Sequence, residues 1–427
     1  MSVPAVGQDL TGAGCPVRKL SRVGERLAPA VEYVGPDTAA TADGTHGPRW
    51  VIRSHDLARQ VIRSEDSLGQ AGFGAASYTA PPGHGRRRQA GARRMRSPIL
   101  YLEGAEHRTR RRAAARHFAP RITESYREMM EELTDQLIAP LAAGRPADLT
   151  TLSLRMAVQV AARVIGLTDS STAGMTRRLE AFFEGDLTDR SITPAVVWRK
   201  LRTGTALLRF YHLDVRPAIR ARRRLPQEDV ISQLVELGYR PLEILIECVT
   251  YGAAGMATTR ELITVAAWHL LDDAALLARY RAADLDGRTA ILHEVLRLEP
   301  IVGHLFRRTT APMTVAWNGS EQVLPVGTMI DLDLRAINAD AGLVGAEPLA
   351  LRPARPLSSR GVAPSVMSFG DGNHRCPGAP LAIMESEIFL TRLLALDLVT
   401  DGPPTIGWSD LTEGYDLRAF ILRRRPG

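Results

Sequence analysis

The chain has 427 residues, of which 45% are apolar and 24% charged, and its formal net charge is +7. This is the make-up of an ordinary globular protein able to bury a large core. No run approaches the roughly 18 unbroken apolar residues of a membrane helix, and the opening MSVPAVGQDL lacks a basic-then-apolar secretion signal, so a cytoplasmic protein without an anchor is expected.

The first forty or so residues are rich in Gly, Pro, Ala and Thr, which predicts an irregular segment over 1–45 ahead of a single domain over 46–427. Trp50-Val51-Ile52 reads as a short strand and His55–Ile62 as a helix. Residues 66–98 hold many Gly, Arg and Pro and predict a long loop of the kind that often carries function. From Glu106 onward apolar residues recur at three and four, predicting helix for most of the chain. Pro226 separates a basic helix from the next, Glu228–Leu237, with Gly238 as its stop. Residues 241–271 read as one long helix, apolar on most sides and therefore buried. After Pro300 short β-type runs appear, among them Met313–Val315 and Thr328–Ile330, and helix returns after Pro380.

Cys15, Cys248 and Cys376 are too scattered for a disulfide framework or a CxxC zinc site. Nearly all cations are arginine, in runs such as 86–88, 110–112 and 222–224. These runs read as solvated faces or as a docking surface for an acidic protein. No nucleic-acid module accompanies them, so neither nucleic acid nor membrane is expected as a partner.

The segment Ser368–Gly378 cannot be regular helix or strand, because Gly370, Gly372 and Gly378 permit backbone angles that other residues resist. It leads directly into a helix, so Cys376 sits before a helix N-terminus, where partial positive charge favours a thiolate. The segment resembles the haem-binding loop of the cytochrome P-450 family, Phe-x-x-Gly-x-His-x-Cys-x-Gly, matching at Phe369, Gly372, His374, Cys376 and Gly378. The resemblance implies that Cys376 is the thiolate ligand of a haem iron, that Phe369 packs near the sulfur and that His374 contacts a propionate. Glu294 and Arg297, spaced i, i+3, match the family's Glu-x-x-Arg, which holds the core and the haem loop. His107 and Arg111, spaced i, i+4, match its His-x-x-x-Arg; two cations on one helix face suit a propionate clamp. Arg307 falls where the family places a further propionate-binding arginine, with Arg308 as the rival by one position.

Within the long helix, Ala254, Gly255 and Thr258 match the family's oxygen pocket, Ala-Gly-x-acid-Thr, but Ala257 occupies the acid position. In the family the acid and Thr deliver the protons that cleave O2. Without the acid, protons would come through Thr258, Thr259, water or a polar group of the substrate, with Glu261 one turn on as a stand-in. Alternatively, weak proton delivery would favour radical coupling, ring formation or peroxide use.

Taken together, the resemblance implies a mainly α fold with a small β lobe (α+β), with haem b (iron protoporphyrin IX) between the long central helix and the cysteine loop. It implies a monooxygenase-type oxidoreductase that uses O2 to hydroxylate, epoxidise or couple a small organic substrate, with the tailoring of a secondary metabolite expected by fold-level analogy. Electrons would come from a ferredoxin and its NAD(P)H-dependent reductase, with Arg110, Arg112, Arg116 and Arg375 as the face for the acidic partner. Substrate contacts are expected from the 66–98 loop, residues 178–200, the 254–258 helix face, 302–305 and a turn near Leu417, with Phe182, Phe183, Met256, Val302 and Leu305 as candidates. The alternative from another class is a haem-based sensor or carrier without turnover.

Overall fold

Amphipathic helices supply most of the chain, and their buried stripes fix how they pack. The structure, a computed structural model, describes residues 30–34, 49–64, 67–71, 96–183, 193–317, 319–409 and 412–425. The longer helices, in chain order, are α1 (His55–Ile62), α2 (Gly104–Ala115), α3 (Arg127–Ala142), α4 (Leu149–Ile165), α5 (Thr172–Phe183), α6 (Pro194–Phe210), α7 (Arg216–Arg224), α8 (Val230–Glu236), α9 (Pro241–Gly252), α10 (Thr258–Asp272), α11 (Ala274–Ala282), α12 (Leu285–Leu298) and α13 (Ala379–Leu394).

In α3, Met130, Leu133, Leu137 and Leu141 recur at helical spacing and are buried together. Helix α4 starts where the Asp148 carboxylate accepts from the Thr150 N–H, and it ends at Gly166, whose φ of 97° is a left-handed stop. Helix α10 is buried almost all round, from Leu262 to Leu270, and is the spine of the molecule. One core joins α3, α4, α10, α12 and α13. A second joins α4, α5, α7, α8 and α9, and a third lies between α1 and the largest sheet.

That sheet has the order β1-β2-β8-β5-β3, from β1 (Val31–Val34), β2 (Arg49–Ile52), β3 (Leu68–Gln70), β5 (His304–Thr309) and β8 (Met329–Asp333). Only β2 and β8 run parallel. Smaller pieces are the hairpin β6 (Met313–Trp317) and β7 (Ser320–Leu324), the hairpin β10 (Thr405–Ser409) and β11 (Gly414–Arg418), and a three-stranded sheet of β4 (Ala147–Asp148), β12 (Ile421–Arg424) and β9 (Leu398–Thr400).

The mainly helical body with a small β part matches the expected class, and α1 has the expected limits. The 1–45 segment departs from expectation, because Val31–Val34 form an edge strand antiparallel to β2. Of the expected 66–98 loop, Leu68–Gln70 are strand, and residues 72–95 lie outside the described residues. The long helix of 241–271 forms as one run with an insertion: Ala253–Ala257 make a π-helical turn between α9 and α10. The expected turn falls at Ala419, with φ of 54°, and Leu417 is not part of it. Leu417 lies in β11, 1% exposed, inside the main core.

Candidate haem-thiolate site

The cysteine loop is held from several sides before α13 begins. Gly370 and Gly372 have φ of 69° and 65°, the left-handed region that a side chain resists. Gly378 does not share that need: its φ is −82°, and a Cβ there would meet only ordinary contacts, at 3.8 Å from the Phe118 ring and 4.0 Å from Cys376 Sγ. The Cys376 N–H donates to the Phe369 carbonyl at 2.7 Å, closing the loop on the aromatic residue. Asp371 accepts from Arg59 at 3.2 Å and Arg63 at 3.0 Å, which tie the loop to α1.

Cys376 is exposed at the head of α13, whereas Cys248 is buried in the core. Protein surrounds its sulfur closely, and that burial raises the thiol pKa; the N–H groups of Gly378 and Ala379, with Arg111 and Arg375, pull the other way. The helix N-terminus therefore lowers the cost of a thiolate, as expected, but does not outweigh desolvation in the protein alone. Beside the sulfur lies an open depression of about 680 Å³ lined in part by Arg111, Arg127, His293, Phe369 and Arg375.

A second group of polar side chains gathers on α2, the loop and β5. The His107 and His374 rings stack at 4.0 Å. His374 Nε2 is 3.2 Å from Glu103 Oε2. Arg111 donates to the Arg375 carbonyl. The buried Arg307 donates to Gln70 Oε1 at 2.7 Å and makes no ion pair among the described residues. Burial lowers its pKa to about 10, so it keeps its charge at neutral pH. Arg308, its rival, points to the other face of the strand and donates to the Gly327 carbonyl at 3.0 Å. One expectation needs correcting: His107 is not a second cation. Burial, with His374 beside it, lowers its pKa to about 4. Its Nδ1 is buried and has no hydrogen-bond partner among the described residues.

Along the central helix, Ala254 is exposed although α9 and α10 on either side are largely buried. Thr258 Oγ1 donates back to the Ala254 carbonyl, as a hydroxyl does where a bulge loosens the ladder. Gly255 faces α4, where a Cβ would lie 3.7 Å from Ala161. Ala257 is half-buried. The helix and the cysteine loop meet through Phe118, whose ring stacks on Tyr251 with centroids 6.4 Å apart and also lies against Gly378. Glu261 is not poised as a stand-in acid. Its carboxylate accepts from the Leu417 N–H at 3.0 Å and from Arg418 at 3.0 Å, and it also pairs with Arg260.

Beneath the loop, Arg297 is fully buried and makes a two-pronged pair with Glu294 at 2.8 Å on each prong. It also donates to the carbonyls of Asn338 and Pro348 at 2.9 Å. Asn338 donates to Ser368 Oγ at 2.8 Å and accepts from the Met367 N–H at 2.9 Å, so the network ends next to Phe369. Arg355 completes it, 3.3 Å from Glu294. Sequence reasoning missed Arg355, Asn338, Asp371 and Glu103. Only the acid-after-Gly at Asp371 gave a local signal.

Of the substrate candidates, Leu305 is half-buried and approaches Gly370, where a Cβ would lie 4.0 Å from its Cδ1. Val302 and Phe182 are half-buried. Met256 belongs to the core, 1% exposed and packed with the α4 and α9 cluster, because the π turn rotates it inward. The side chain of Phe183 lies outside the described residues, as do Cys15 and most of the glycine- and arginine-rich loop.

These residues fit a haem. A surface-reaching cysteine heads a helix, and, among the described residues, a buried arginine without an ion pair and an imidazole nitrogen without a partner would offer donors to the group's carboxylates. No helix among the described residues is long and apolar enough to cross a membrane. The family model described as Cytochrome P450 matches residues 283–396. Cyclomarin C epoxidase CymV of Salinispora arenicola is 31% identical over 303 residues, 68% of this chain and 71% of that protein. Erythromycin C-12 hydroxylase of Saccharopolyspora erythraea is 28% identical over 307 residues, 70% and 72% of the two. Among solved structures, CYP109E1 from Bacillus megaterium in complex with corticosterone superposes with a TM-score of 0.71 at 19% identity, over 94% of this chain and 96% of that one.

Proposed function

The chain belongs to the cytochrome P450 family and is a haem-iron oxidoreductase; from that premise we propose that the chain from the edge strand Val31–Val34 onward is one catalytic domain that oxidises a small organic molecule with O2, tailoring a secondary metabolite. The single observation that carries the site assignment is Cys376: the only accessible cysteine among the described residues, at the head of α13, accepting from two backbone N–H groups. It ligates the iron of haem b (iron protoporphyrin IX). The two relatives are named for oxidations of cyclomarin C and erythromycin, which supports the tailoring reading.

When bound, the haem supplies the oxygen-activating iron. The protein's own residues do the rest. The N–H groups of Gly378 and Ala379 donate to the sulfur and would limit the basicity of the iron-bound thiolate. Arg307, Arg111, His374 and the neutral His107 hold the two carboxylates of the group. Glu294, Arg297 and Arg355 keep the loop in place through Asn338 and Ser368. The π turn leaves Ala254 open, and Thr258 Oγ1 holds a proton at the edge of that opening. Leu305, Val302 and Phe182 line the substrate's side.

No carboxylate stands at position 257, and Glu261 is clamped to β11. Proton transfer therefore runs through the Thr258 hydroxyl with water or a polar group of the substrate. Electrons arrive from a ferredoxin, reduced by its NAD(P)H-dependent reductase, and the ferredoxin docks at the depression beside Cys376, where Arg111 and Arg375 offer positive charge.

The test is to titrate the ferric protein with polyketides, peptides, terpenes and aromatic amino acids while following the haem Soret band. A saturable spin-state shift identifies the substrate class, and turnover of that compound follows. Absence of any shift across the panel removes the tailoring reading. Ala257→Asp assayed beside the natural enzyme tests the proton route. A several-fold faster turnover with less peroxide released shows that the missing acid limits the reaction; no change shows that the substrate or water already supplies the proton.

A further inference from the structure

Helices α6 and α7, with the π turn Tyr211–Val215 between them, form one nearly continuous rod whose outer face takes no part in the site described above. Five of the fifteen exposed large hydrophobic side chains of the described residues fall within its residues 197–213: Val197 at 42%, Trp198 at 71%, Leu201 at 58%, Leu208 at 61% and Leu213 at 50%. At 100° per residue, Val197, Leu201 and Leu208 share one stripe, with Trp198 on its flank. The charge pattern along the same face is equally one-sided. Arg209, Arg216, Arg220, Arg223 and Arg224 are exposed and make no ion pair among the described residues. The only acid in residues 194–224 is Asp214, which is buried and pairs with Arg178 at 2.6 Å. Elsewhere in the molecule exposed arginines commonly find carboxylates, as Arg63, Arg352, Arg423 and Arg425 do.

We propose that this face docks peripherally on an anionic lipid surface, with the Trp198 and leucine stripe entering the headgroup margin and the arginines of the C-terminal half meeting lipid phosphates. Charge complementarity selects the occupant. A second copy of the chain would bring the same arginines together with no carboxylate to oppose them. A layer of phosphate headgroups meets all five at once, without fixed register, over the roughly 22 Å that fifteen residue steps of helix span. Its apolar margin accepts exposed Trp and Leu, the side chains that interfacial helices place there. Since no described helix is long and apolar enough to span, the contact is one of surface.

The experiment uses the haem-loaded protein with vesicles of phosphatidylcholine alone and of phosphatidylcholine mixed with phosphatidylglycerol, at low and high salt. Co-sedimentation with the mixed vesicles only, reversed by salt, is expected, with a blue shift of tryptophan emission that Trp198→Phe abolishes. The quadruple variant R216Q/R220Q/R223Q/R224Q is expected to bind roughly six-hundredfold more weakly, since each arginine near an anionic surface contributes about a fivefold gain. An unchanged ferrous carbon monoxide spectrum certifies that the variants are folded. Failure to sediment with mixed vesicles at low salt overturns the proposal, as does vesicle binding that the quadruple variant retains. Heparin retention or a Trp198-dependent dimer without vesicle binding overturns it equally, and reassigns the face to a polyanion or to a second copy.

Discussion

A histidine ring stacked 4.0 Å from another, under neighbouring arginines and out of water, resists protonation. His107 therefore works as a neutral N–H donor, while Arg307, a few residues along the same cluster, works as a permanent cation. Their removal should differ in the size of its effect, and neither effect should change with pH near neutrality. Replacing a neutral donor costs about 1 kcal/mol net and replacing a charged one about 1.5–3 kcal/mol. His107→Ala is expected to raise haem loss about fivefold, and by the same factor at pH values on either side of neutrality. Arg307→Gln is expected to raise it between about tenfold and a hundredfold. Haem transfer to an apo-acceptor protein measures both. A His107→Ala effect that appears only below neutral pH would mean that the imidazole binds as a cation after all.

At the scale of elements, α12 is joined to the cysteine loop by a buried ionic network as well as by apolar packing. Breaking a buried pair costs about 3–5 kcal/mol, because the surviving charge stays in a dry site. Arg355→Met leaves Glu294 paired with Arg297 and should cost less than Glu294→Leu, which strands two arginines; urea unfolding of the haem-loaded proteins ranks them, and the reverse order would refute the scheme. This network also shows what the sequence could and could not disclose. Glu294 and Arg297 are legible because both lie on one helix turn. Arg355 lies 61 residues from Glu294 along the chain and joins it only once the intervening strands have folded. The cysteine loop was legible for the same local reason, since its glycines and its helix start are consecutive. Leu417 was not: the ladder of β10 and β11 runs from Thr405↔Arg418 to Ser409↔Gly414, and only the pairing Ile406↔Leu417 reveals that Leu417 is strand. The five-stranded sheet was equally hidden, because its register sets Trp50 beside Ile330, a pairing no local pattern announces.

For the whole molecule, two buried carboxyls set a pH dependence that the surface does not reveal. Burial alone pushes Glu385 up to about 8, and its Oε1 has no hydrogen-bond partner among the described residues. Burial also raises Glu247 to about 7, against the opposing pull of the Ile99 N–H and Arg110. In the unfolded chain both return to about 4.3. Across the window between that value and the folded ones, the native state holds protons that the unfolded chain has released. Stability contributed by these groups is thus complete below about pH 4.3 and is lost as pH rises through 7 and then 8. Glu385→Gln removes the titration while keeping the shape. The amide adds an N–H₂ group of its own to a dry site, so the absolute stability of the variant is uninformative, and the informative quantity is its change with pH. Relative to the natural chain, Glu385→Gln should gain stability steadily from about pH 5 to about pH 8, because over that range only the natural chain releases a proton on unfolding. Thermal unfolding at several pH values measures the difference. Parallel curves for the two proteins would mean that Glu385 ionises freely, through water reaching α13, and that the helix carrying Cys376 is less dry than its packing indicates.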